Sequence, residues 1–304
     1  MAERINEGLA CLITLARETI LPDHAPKTSM VSNPPAVEIR PIRQIAQLKA
    51  VEDMQQKIWG CSDREIVPAL VMIPLLEVGG VLLGAYSGDE LVGFVFGFPG
   101  AESGRLIIHS DMLAVKGEYR SHGVGHKLKL AQRDFALAKG ISEITWTFDP
   151  LQSRNAHLNF ARLGVIAEQY KINYYGETSS FLHRTGTDRL WVRWLLNSDR
   201  VKRRITGAAN LEPSLEDVPS LVRVGEELEP VASGLEPEHA IVKVEIPDDI
   251  NSLLEQDVDL AIRWREVMRA AFTTALAANY FVKDFYRLTR NSRGLGVYLL
   301  ASKS

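Results

Sequence analysis

The chain has 304 residues, a formal net charge of −3 and 46% apolar residues, a composition typical of a globular protein with a buried core. This charge balance excludes a general electrostatic attraction to nucleic acid or to an anionic membrane. Its apolar runs are shorter than the roughly 20 residues that cross a bilayer. Cys11 and Cys61 are the two cysteines, so neither a disulfide framework nor a zinc site is predicted, and a cytoplasmic protein is expected.

Residues 1–35 are predicted to form a helix and a linker. Apolar residues recur there at helical spacing: Ile5, Leu9, Leu12, Ile13, Ala16 and Ile20. The run from Gly8 to Cys11 faintly resembles a lipoprotein cleavage site, but Glu3 and Glu7 stand where a signal peptide carries positive charge. An amphipathic helix that packs on the body or on a second subunit is therefore preferred, and the prolines of residues 22–36 indicate a linker.

Residues 36–200 are expected to form one domain. A strand at 37–40 precedes a helix with an apolar face from Ile45 to Ile58, and a second helical stretch runs from about Glu65 to Glu77. Three strands are then predicted, the first two joined by a Gly88-Asp89 turn: 81–86, 91–98 and 106–115.

A glycine-containing loop follows the third of these strands. It reads Tyr119-Arg120-Ser121-His122-Gly123-Val124-Gly125-His126 and leads into a helical pattern. Two glycines let the backbone approach a ligand and adopt positive φ. The first amides of a helix lack partners within it and lie at its positive end, so the loop is suited to a pyrophosphate. The alternatives are a tight turn without a ligand and a dinucleotide-binding loop, although the latter needs a glycine where Leu128 stands.

The second half of the chain alternates helices and strands around an acidic connection. The elements predicted before it are a helix over 124–138, a strand at 144–148, a short helix over 155–163 and strands at 165–170 and 189–196. Residues 201–239 are rich in glutamate and proline and are predicted to be an irregular connection. Residues 240–304 are predicted to form an extension: strand 241–246, helix 257–278 and strands 281–286 and 297–300. A helix–strand–strand order recurs at 155–196 and 257–300, too loosely to prove a repeat.

This element order resembles the GCN5-related N-acetyltransferase (GNAT) superfamily over about Val37 to Leu196. Three motifs carry the resemblance: the hairpin before the long strand, Met112-Leu113-Ala114-Val115 followed by Arg120-Ser121-His122-Gly123-Val124-Gly125, and Asn155-Ala156-His157-Leu158-Asn159-Phe160-Ala161-Arg162-Leu163-Gly164. A bacterial branch of predicted acetyltransferases is more specifically similar, through Trp146-Thr147-Phe148-Asp149-Pro150-Leu151 and Asn173-Tyr174-Tyr175-Gly176.

The resemblance implies an α/β (α+β) fold: a mixed, mostly antiparallel sheet flanked by helices, with a C-terminal α/β extension. It also implies a transferase that uses acetyl-CoA or another acyl-CoA as co-substrate. Leu113 and Val115 would offer backbone to the pantetheine arm, the amides of about Ser121 to His126 would hold the pyrophosphate, and the 155–164 helix would line the other side. The implied cofactor-binding residues are Leu113, Ala114, Val115, Arg120, Ser121, His122, Gly123, Val124, Gly125, His126, Asn155 and Phe160.

The catalytic residues are less clearly indicated. His109 and Asp111 alternate on the strand before the loop, so both face one side and are candidate bases, unless that side is merely solvated. Phe160 stands where the family often has a tyrosine acid, so another acid acts, the thiolate leaves unassisted, or the site does not catalyse. Tyr174 and Tyr175 are candidate replacements, or an aromatic pair that packs on the sheet. No set of residues has metal-ligand spacing.

The preferred function is an acyl-CoA-dependent N-acyltransferase that moves an acetyl or other short acyl group to the amine of a small molecule by direct attack. Related acyltransferases implicated in N-acylating amino acids make an amino acid a candidate acceptor, with Arg154, Arg162 and Arg184 as candidate carboxylate clamps. The alternatives are a non-catalytic acyl-CoA sensor or regulatory protein and a protein acetyltransferase. Residues 240–304 are expected to pack on the acceptor side or to form the surface of a possible homodimer, and no nucleic-acid or membrane partner is expected.

Overall fold

The structure, a computed structural model, describes residues 36–176, 178, 180, 183–207, 214–234 and 239–303. The chain divides into two units, Met1–Pro35 and Ala36–Ser304, and the fold is that of the second unit. The predicted N-terminal helix and linker, together with Cys11, lie outside the described residues.

The first half of the fold follows the predicted order closely. Its elements are β1 (Glu38–Pro41), α1 (Ile45–Trp59), α2 (Ala69–Glu77), β2 (Val81–Ser87), β3 (Glu90–Glu102), β4 (Arg105–Val115), a 3-10 turn (Gly117–Tyr119) and α3 (Val124–Ala138). At the start of α1, the Gln47 side-chain oxygen accepts bonds from the amides of Arg43 and Gln44, each at 3.2 Å, which satisfies donors that the helix leaves unpaired.

The second half contains elements that the sequence did not predict. It comprises β5 (Glu143–Phe148), α4 (Ser153–Ala156) continuing as a π-helix (His157–Leu163), β6 (Ile166–Lys171), β7 (Arg189–Leu195), α5 (Asp199–Ile205), β8 (Ser220–Val224), β9 (Pro230–Ala232), β10 (Ile241–Pro247), α6 (Ile250–Gln256), α7 (Val258–Ala277), β11 (Tyr280–Arg290) and β12 (Arg293–Ser302). The acidic connection is therefore not irregular throughout. Within it, Leu221 and Val222 are buried, and β8 pairs with β10.

One sheet of twelve strands joins these elements in the order β1-β2-β3-β4-β5-β7-β6-β11-β12-β10-β8-β9. Two neighbouring pairs, β4 with β5 and β8 with β10, are parallel, and the others are antiparallel. The C-terminal extension thus continues the sheet through the pairing of β6 with β11 at Ala167 and Val282. This is the mixed, mostly antiparallel α/β architecture that the sequence predicted.

The two faces of the first half of the sheet carry different cores. One core packs α1 and α2 against residues such as Phe94, Phe96 and Met112. The other packs α3 and the π-helix against alternate residues of β5 and β7, and it extends without a break into the C-terminal strands and α7. On β5 and β7 the residues between these buried positions are polar or amphipathic, so one face of these strands is a polar surface.

Candidate functional site

The parallel strands β4 and β5 separate at the centre of the sheet. Their ladder pairs Ile108 with Ile144 and His109 with Thr145, while β4 runs on to Val115. The Lys116 amide bonds the Val92 carbonyl of β3 at 2.9 Å. Because main-chain groups alternate along a strand, Leu113 and Val115 direct their main-chain groups away from β3, into the gap that β5 leaves. A short extended ligand could bond there as an additional strand does.

The glycine loop lies beside this gap. Gly123 has a φ of 77° and caps α3, and Ser121 has a φ of 64°. The first main-chain bond of α3 runs from the Lys127 amide to the Gly123 carbonyl at 3.0 Å. The amides of residues 124–126 therefore point out of the helix end, where the helix dipole favours an anion. A Cβ placed on Gly123 would meet nothing within 4 Å, so the space above the loop is open.

Gly125 shows which side chains bound the cleft. A Cβ at this position would lie 3.8 Å from Leu113 and 3.9 Å from both Val115 and Leu158. The end of β4, the loop and the π-helix thus converge at Gly125. Arg120 folds back over the same strand end, with its Nε donating to the Val115 carbonyl at 3.1 Å.

The other predicted cofactor residues differ in exposure. Arg120, Ser121, His122, Gly123 and Asn155 are exposed. His126 is half-buried, and burial, with a smaller effect of Arg162, lowers the pKa of its imidazole. Ala114 and Val124 are buried, at 3% and 2% exposure, so any contact that they make with a cofactor is through the backbone.

Phe160 does not line the cleft, which corrects the sequence-based expectation. Its side chain has no exposed surface and packs edge-on against Phe148 and Tyr298, with ring centroids 6.2 and 5.9 Å apart. The reason is that β12 brings Tyr298 behind the π-helix, where its hydroxyl donates to the Pro150 carbonyl at 2.7 Å. Leu158, which meets Gly125, takes the cleft-facing position instead.

Asp111 and His109 lie close together but in different surroundings. Asp111 is the extra residue of a β-bulge, since Gly97 pairs with Ser110 and Phe96 with Met112. It is solvent-exposed, yet desolvation by the surrounding protein raises the pKa of its carboxyl. His109 stacks on Trp191 at 5.0 Å and shares a 3.0 Å hydrogen bond with Thr145. Burial, and then Lys129, lowers the pKa of His109 to about 4, so His109 is a weaker base than an ordinary histidine.

Tyr174 and Tyr175 lie on the same polar face as His109. The Tyr174 ring is 6.4 Å from Trp191, and its pKa is raised by burial, then by Tyr175 and Asp111. The Tyr175 hydroxyl shares a 3.2 Å hydrogen bond with Thr147 of β5. Tyr174 is thus an exposed, protonated phenol near Asp111.

Of the charged residues weighed from the sequence, Arg154, Arg162 and Arg184 are exposed. Asp149 is buried against Arg265 of α7, with two bonds of 2.7 Å. Burial by itself would raise the pKa of Asp149, but the contacts with Arg265 outweigh it and lower the pKa. Asp149 is therefore a structural anion rather than a base.

Besides Arg265, sequence reasoning missed the buried cationic residues Lys129 and Arg189. The Lys129 amine, on α3, bonds Ser110 and Gln132 at 2.9 Å each and lies 3.6 Å from the Trp146 ring centroid. Burial lowers its pKa well below 10.5. Arg189 opens β7 beneath Tyr175. Helical spacing and strand alternation could have placed both residues inward, but not their polar partners.

Within the described ranges, no group of three or more His, Cys, Asp or Glu residues is positioned to hold a metal ion. None of the helices in the same ranges has the length and apolarity that crossing a bilayer requires.

Comparison with known proteins identifies the segment that carries the cleft. Residues 49–165, under half of the chain, match the model of the acetyltransferase (GNAT) family. This segment runs from α1 to the end of the π-helix, and so it includes the open end of β4 and the glycine loop. Among curated proteins, no sequence matches the chain.

Solved structures with a similar fold include two acetyltransferases and a complex with a bisubstrate analogue. A GNAT acetyltransferase from Elizabethkingia anophelis with acetyl-CoA bound is 15% identical, with 52% of this chain and 97% of that chain covered and a TM-score of 0.40. Naa50 from Arabidopsis thaliana, in complex with a bisubstrate analogue, is 18% identical, with coverages of 52% and 97% and a TM-score of 0.42. A ribosomal-protein alanine N-acetyltransferase from Escherichia coli is 13% identical, with coverages of 54% and 96% and a TM-score of 0.43.

At these TM-scores the assignment depends on the matched segment rather than on the structural neighbours. The match spans the strand, loop and helix whose geometry forms the cleft. The family is one of enzymes that transfer an acyl group from acetyl-CoA. Residues 49–165 are therefore similar to the acetyltransferase (GNAT) family.

Proposed function

We propose that this domain binds acetyl-CoA, or another short acyl-CoA, between β4 and the π-helix and transfers the acyl group to the amine of a small molecule. The observation that carries the proposal is the juxtaposition of the Leu113 backbone and the Val115 amide, which face the gap beside β4, with the outward amides of residues 124–126. The first can pair with the amides of the pantetheine arm, and the second can hold the diphosphate. A cytoplasmic location is part of the same proposal.

The chemistry requires a neutral amine that attacks the thioester carbonyl. A carbon–nitrogen bond forms, the carbonyl oxygen becomes an oxyanion, and the carbon–sulfur bond then breaks. A main-chain amide near Val115 would stabilise the oxyanion. Asp111, whose raised pKa makes it a better proton acceptor than an ordinary carboxylate, takes the amine proton. Tyr174, kept protonated, is the candidate donor to the departing thiolate.

Binding of the co-substrate tests the first half of the proposal. Gly125→Glu places a charged side chain against Leu113, Val115 and Leu158, next to the amides that would hold the diphosphate. We expect it to abolish acetyl-CoA binding in calorimetry. Gly117→Glu is the matched control, because it adds the same charge where a Cβ meets nothing within 4 Å. Equal affinity of the Gly125→Glu variant and the wild type would overturn the loop assignment.

Turnover measurements test the second half of the proposal, the transfer of the acyl group. Acetyl-CoA is incubated with a panel of small amines and short peptides, and free thiol is measured. We expect thiol release that depends on the acceptor. The second candidate is an acyl-CoA sensor without turnover. Phe160 favours it, because this residue has no phenol hydroxyl and its ring is buried away from the cleft. Tight binding of acetyl-CoA with no acceptor-dependent release would favour the sensor.

A further inference from the structure

Arg189, the first residue of β7, is a buried guanidinium whose hydrogen-bond partners are neutral. It is 9% exposed. Its Nη2 lies 2.6 Å from His183 Nε2, and its Nη1 lies 3.4 Å from the Asp188 carbonyl. Its Cζ is 5.1 Å from the centroid of the Tyr175 ring. Among the described residues, no carboxylate forms an ion pair with it, in contrast with Arg193, Arg265 and Arg269. A buried cation without a direct counter-ion is costly, so an occupant that supplies one is favoured.

His183 does not neutralise this charge. A guanidinium can only donate, so His183 accepts at Nε2 and carries its hydrogen on Nδ1, which donates to Thr178 Oγ1 at 2.6 Å. Burial, and then Arg189, lowers the pKa of His183, which agrees with a neutral ring. The Thr178 hydroxyl keeps its own hydrogen to donate to an occupant. The pair therefore presents donors and a net positive charge.

The nearest carboxylates are already paired. Asp149 accepts two bonds from Arg265, and Asp188 accepts two from Arg269 at 2.8 and 2.9 Å. Among the described residues of this cluster, these two carboxylates are bound by Arg265 and Arg269, so neither is hydrogen-bonded to Arg189. The charge of Glu65 acts to raise the pKa of His183, and the Glu65 carboxylate accepts a hydrogen bond from the Ser62 hydroxyl.

A pocket lies beside His183, the hydrogen-bond partner of Arg189. It is lined by Asn173, Gly176, Thr178, His183 and Gly186. Arg189 and Trp191 lie on the same face of β7, and Trp191 stacks on His109. The Tyr174 ring is 6.4 Å from Trp191, and the charge of Asp111 contributes to raising the pKa of Tyr174. One continuous face thus leads from Arg189 to the site proposed for proton transfer.

We propose that the acceptor carries a carboxylate together with its amine, as an amino acid does, and that Arg189 binds this carboxylate. The proposal rests on the acyl transfer proposed above, because it names the acceptor class of the same site. It replaces Arg154, Arg162 and Arg184 as the predicted clamps, since these three side chains are exposed to solvent.

Matched pairs of acceptors test the proposal kinetically. Free amino acids and their carboxamides differ only in the carboxylate, and thiol release is measured for both. We expect the wild type to favour the acids by about 10- to 100-fold in kcat/KM, the range of a charge-assisted hydrogen bond. Arg189→Gln should remove this preference by raising KM for the acids, and it should keep the acetyl-CoA affinity. Arg184→Gln, an exposed arginine of the same loop, should change neither.

A binding experiment separates this inference from the proposed function. N-acetyl amino acids, the products expected from this site, are titrated into the protein in the calorimeter and need no turnover. We expect at least tenfold weaker binding to Arg189→Gln than to the wild type. Arg189→Lys should bind with intermediate affinity, because it keeps the charge but loses the bidentate hydrogen bonding of the guanidinium. Equal binding of N-acetyl amino acids and their amides by the wild type would overturn the role of Arg189. A lack of turnover with any amine would count against the transferase alone.

Discussion

Replacing Arg265 with methionine should destabilise the domain strongly, because it leaves a buried carboxylate without its partner. The Arg265 and Asp149 side chains are 3% and 10% exposed and are joined by two bonds of 2.7 Å. Breaking a buried pair of this kind costs about 3–5 kcal/mol. For a fold of this size, that lowers Tm by roughly 6–20 °C. Urea unfolding and calorimetric melting measure the two quantities.

The pair of Arg287 and Asp248 provides a matched control. It also has two hydrogen bonds, at 2.8 and 2.6 Å, but its side chains are 40% and 29% exposed. Solvent screens such a pair, so Arg287→Met should cost no more than about 1 kcal/mol. An Arg265→Met variant as stable as Arg287→Met would refute the reasoning.

The pH dependence gives a second test of the same pair. In the wild type the pKa of Asp149 is lowered in the folded state. Its contribution is therefore present above the unfolded pKa and is lost as the pH falls through the folded value. In Arg265→Met, burial should raise the folded-state pKa of Asp149 instead. The cost of burying the unpaired carboxylate is then relieved as the pH falls through that raised pKa. The stability difference between the two proteins should therefore narrow on acidification, and a constant difference would contradict this account.

Three further substitutions test the site and the core. Asp111→Asn should lower kcat about 100-fold, leave KM for acetyl-CoA unchanged and remove the fall in activity as the pH drops through the raised pKa of Asp111; an unchanged pH–rate profile would exclude it as the base. Phe160→Tyr buries a hydroxyl and should cost about 1–3 kcal/mol with unchanged acetyl-CoA affinity, so an equally stable variant would contradict its burial. Because burial lowers the pKa of Lys129 in the folded state, the wild type should gain stability as the pH rises from that lowered pKa toward the unfolded value near 10.5. Lys129→Met should remove this pH dependence, and urea unfolding at several pH values would show it.

The cleft could be predicted from the sequence because its determinants are local. Gly123, Gly125 and the apolar run of residues 112–115 are consecutive along the chain, and a strand, a loop and a helix follow from them directly. The short strands β8 and β9 were missed because their residues lie among glutamates and prolines, and because β8 obtains its backbone partners from β10. Period-two alternation over so few residues carries little signal.

Contacts distant in sequence account for the failures at the site. Phe160 was expected in the cleft because its position in the motif was matched to a tyrosine, but its neighbour Tyr298 is on β12. Arg265 and Asp149 are 116 positions apart, so neither sequence neighbourhood reveals the pair. Arg189 could be assigned to a strand, but its neutral surroundings depend on His183 and on where the other arginines find their carboxylates.

The strand order explains why the C-terminal segment supports the site without repeating it. In the first half, β4 pairs parallel with β5, β5 antiparallel with β7, and β7 antiparallel with β6. In the second half, β8 pairs parallel with β10, β10 antiparallel with β12, and β12 antiparallel with β11. The two sets of strands meet where β6 pairs with β11. The loosely matching helix–strand–strand order of the sequence is therefore a repeat of topology.

The two halves differ where the anion site would lie. Between β4 and β5 the chain forms the glycine loop and α3, whereas between β8 and β10 the described residues form the short strand β9. The second half thus lacks the helix end that would hold a diphosphate. It contributes instead Tyr298 behind the π-helix and the arginines of α7 that hold Asp149 and Asp188. Because β11 pairs with β6, a homodimer cannot extend the sheet at that edge. We therefore expect the segment from residue 240 onward to support the proposed acceptor site from within its own chain.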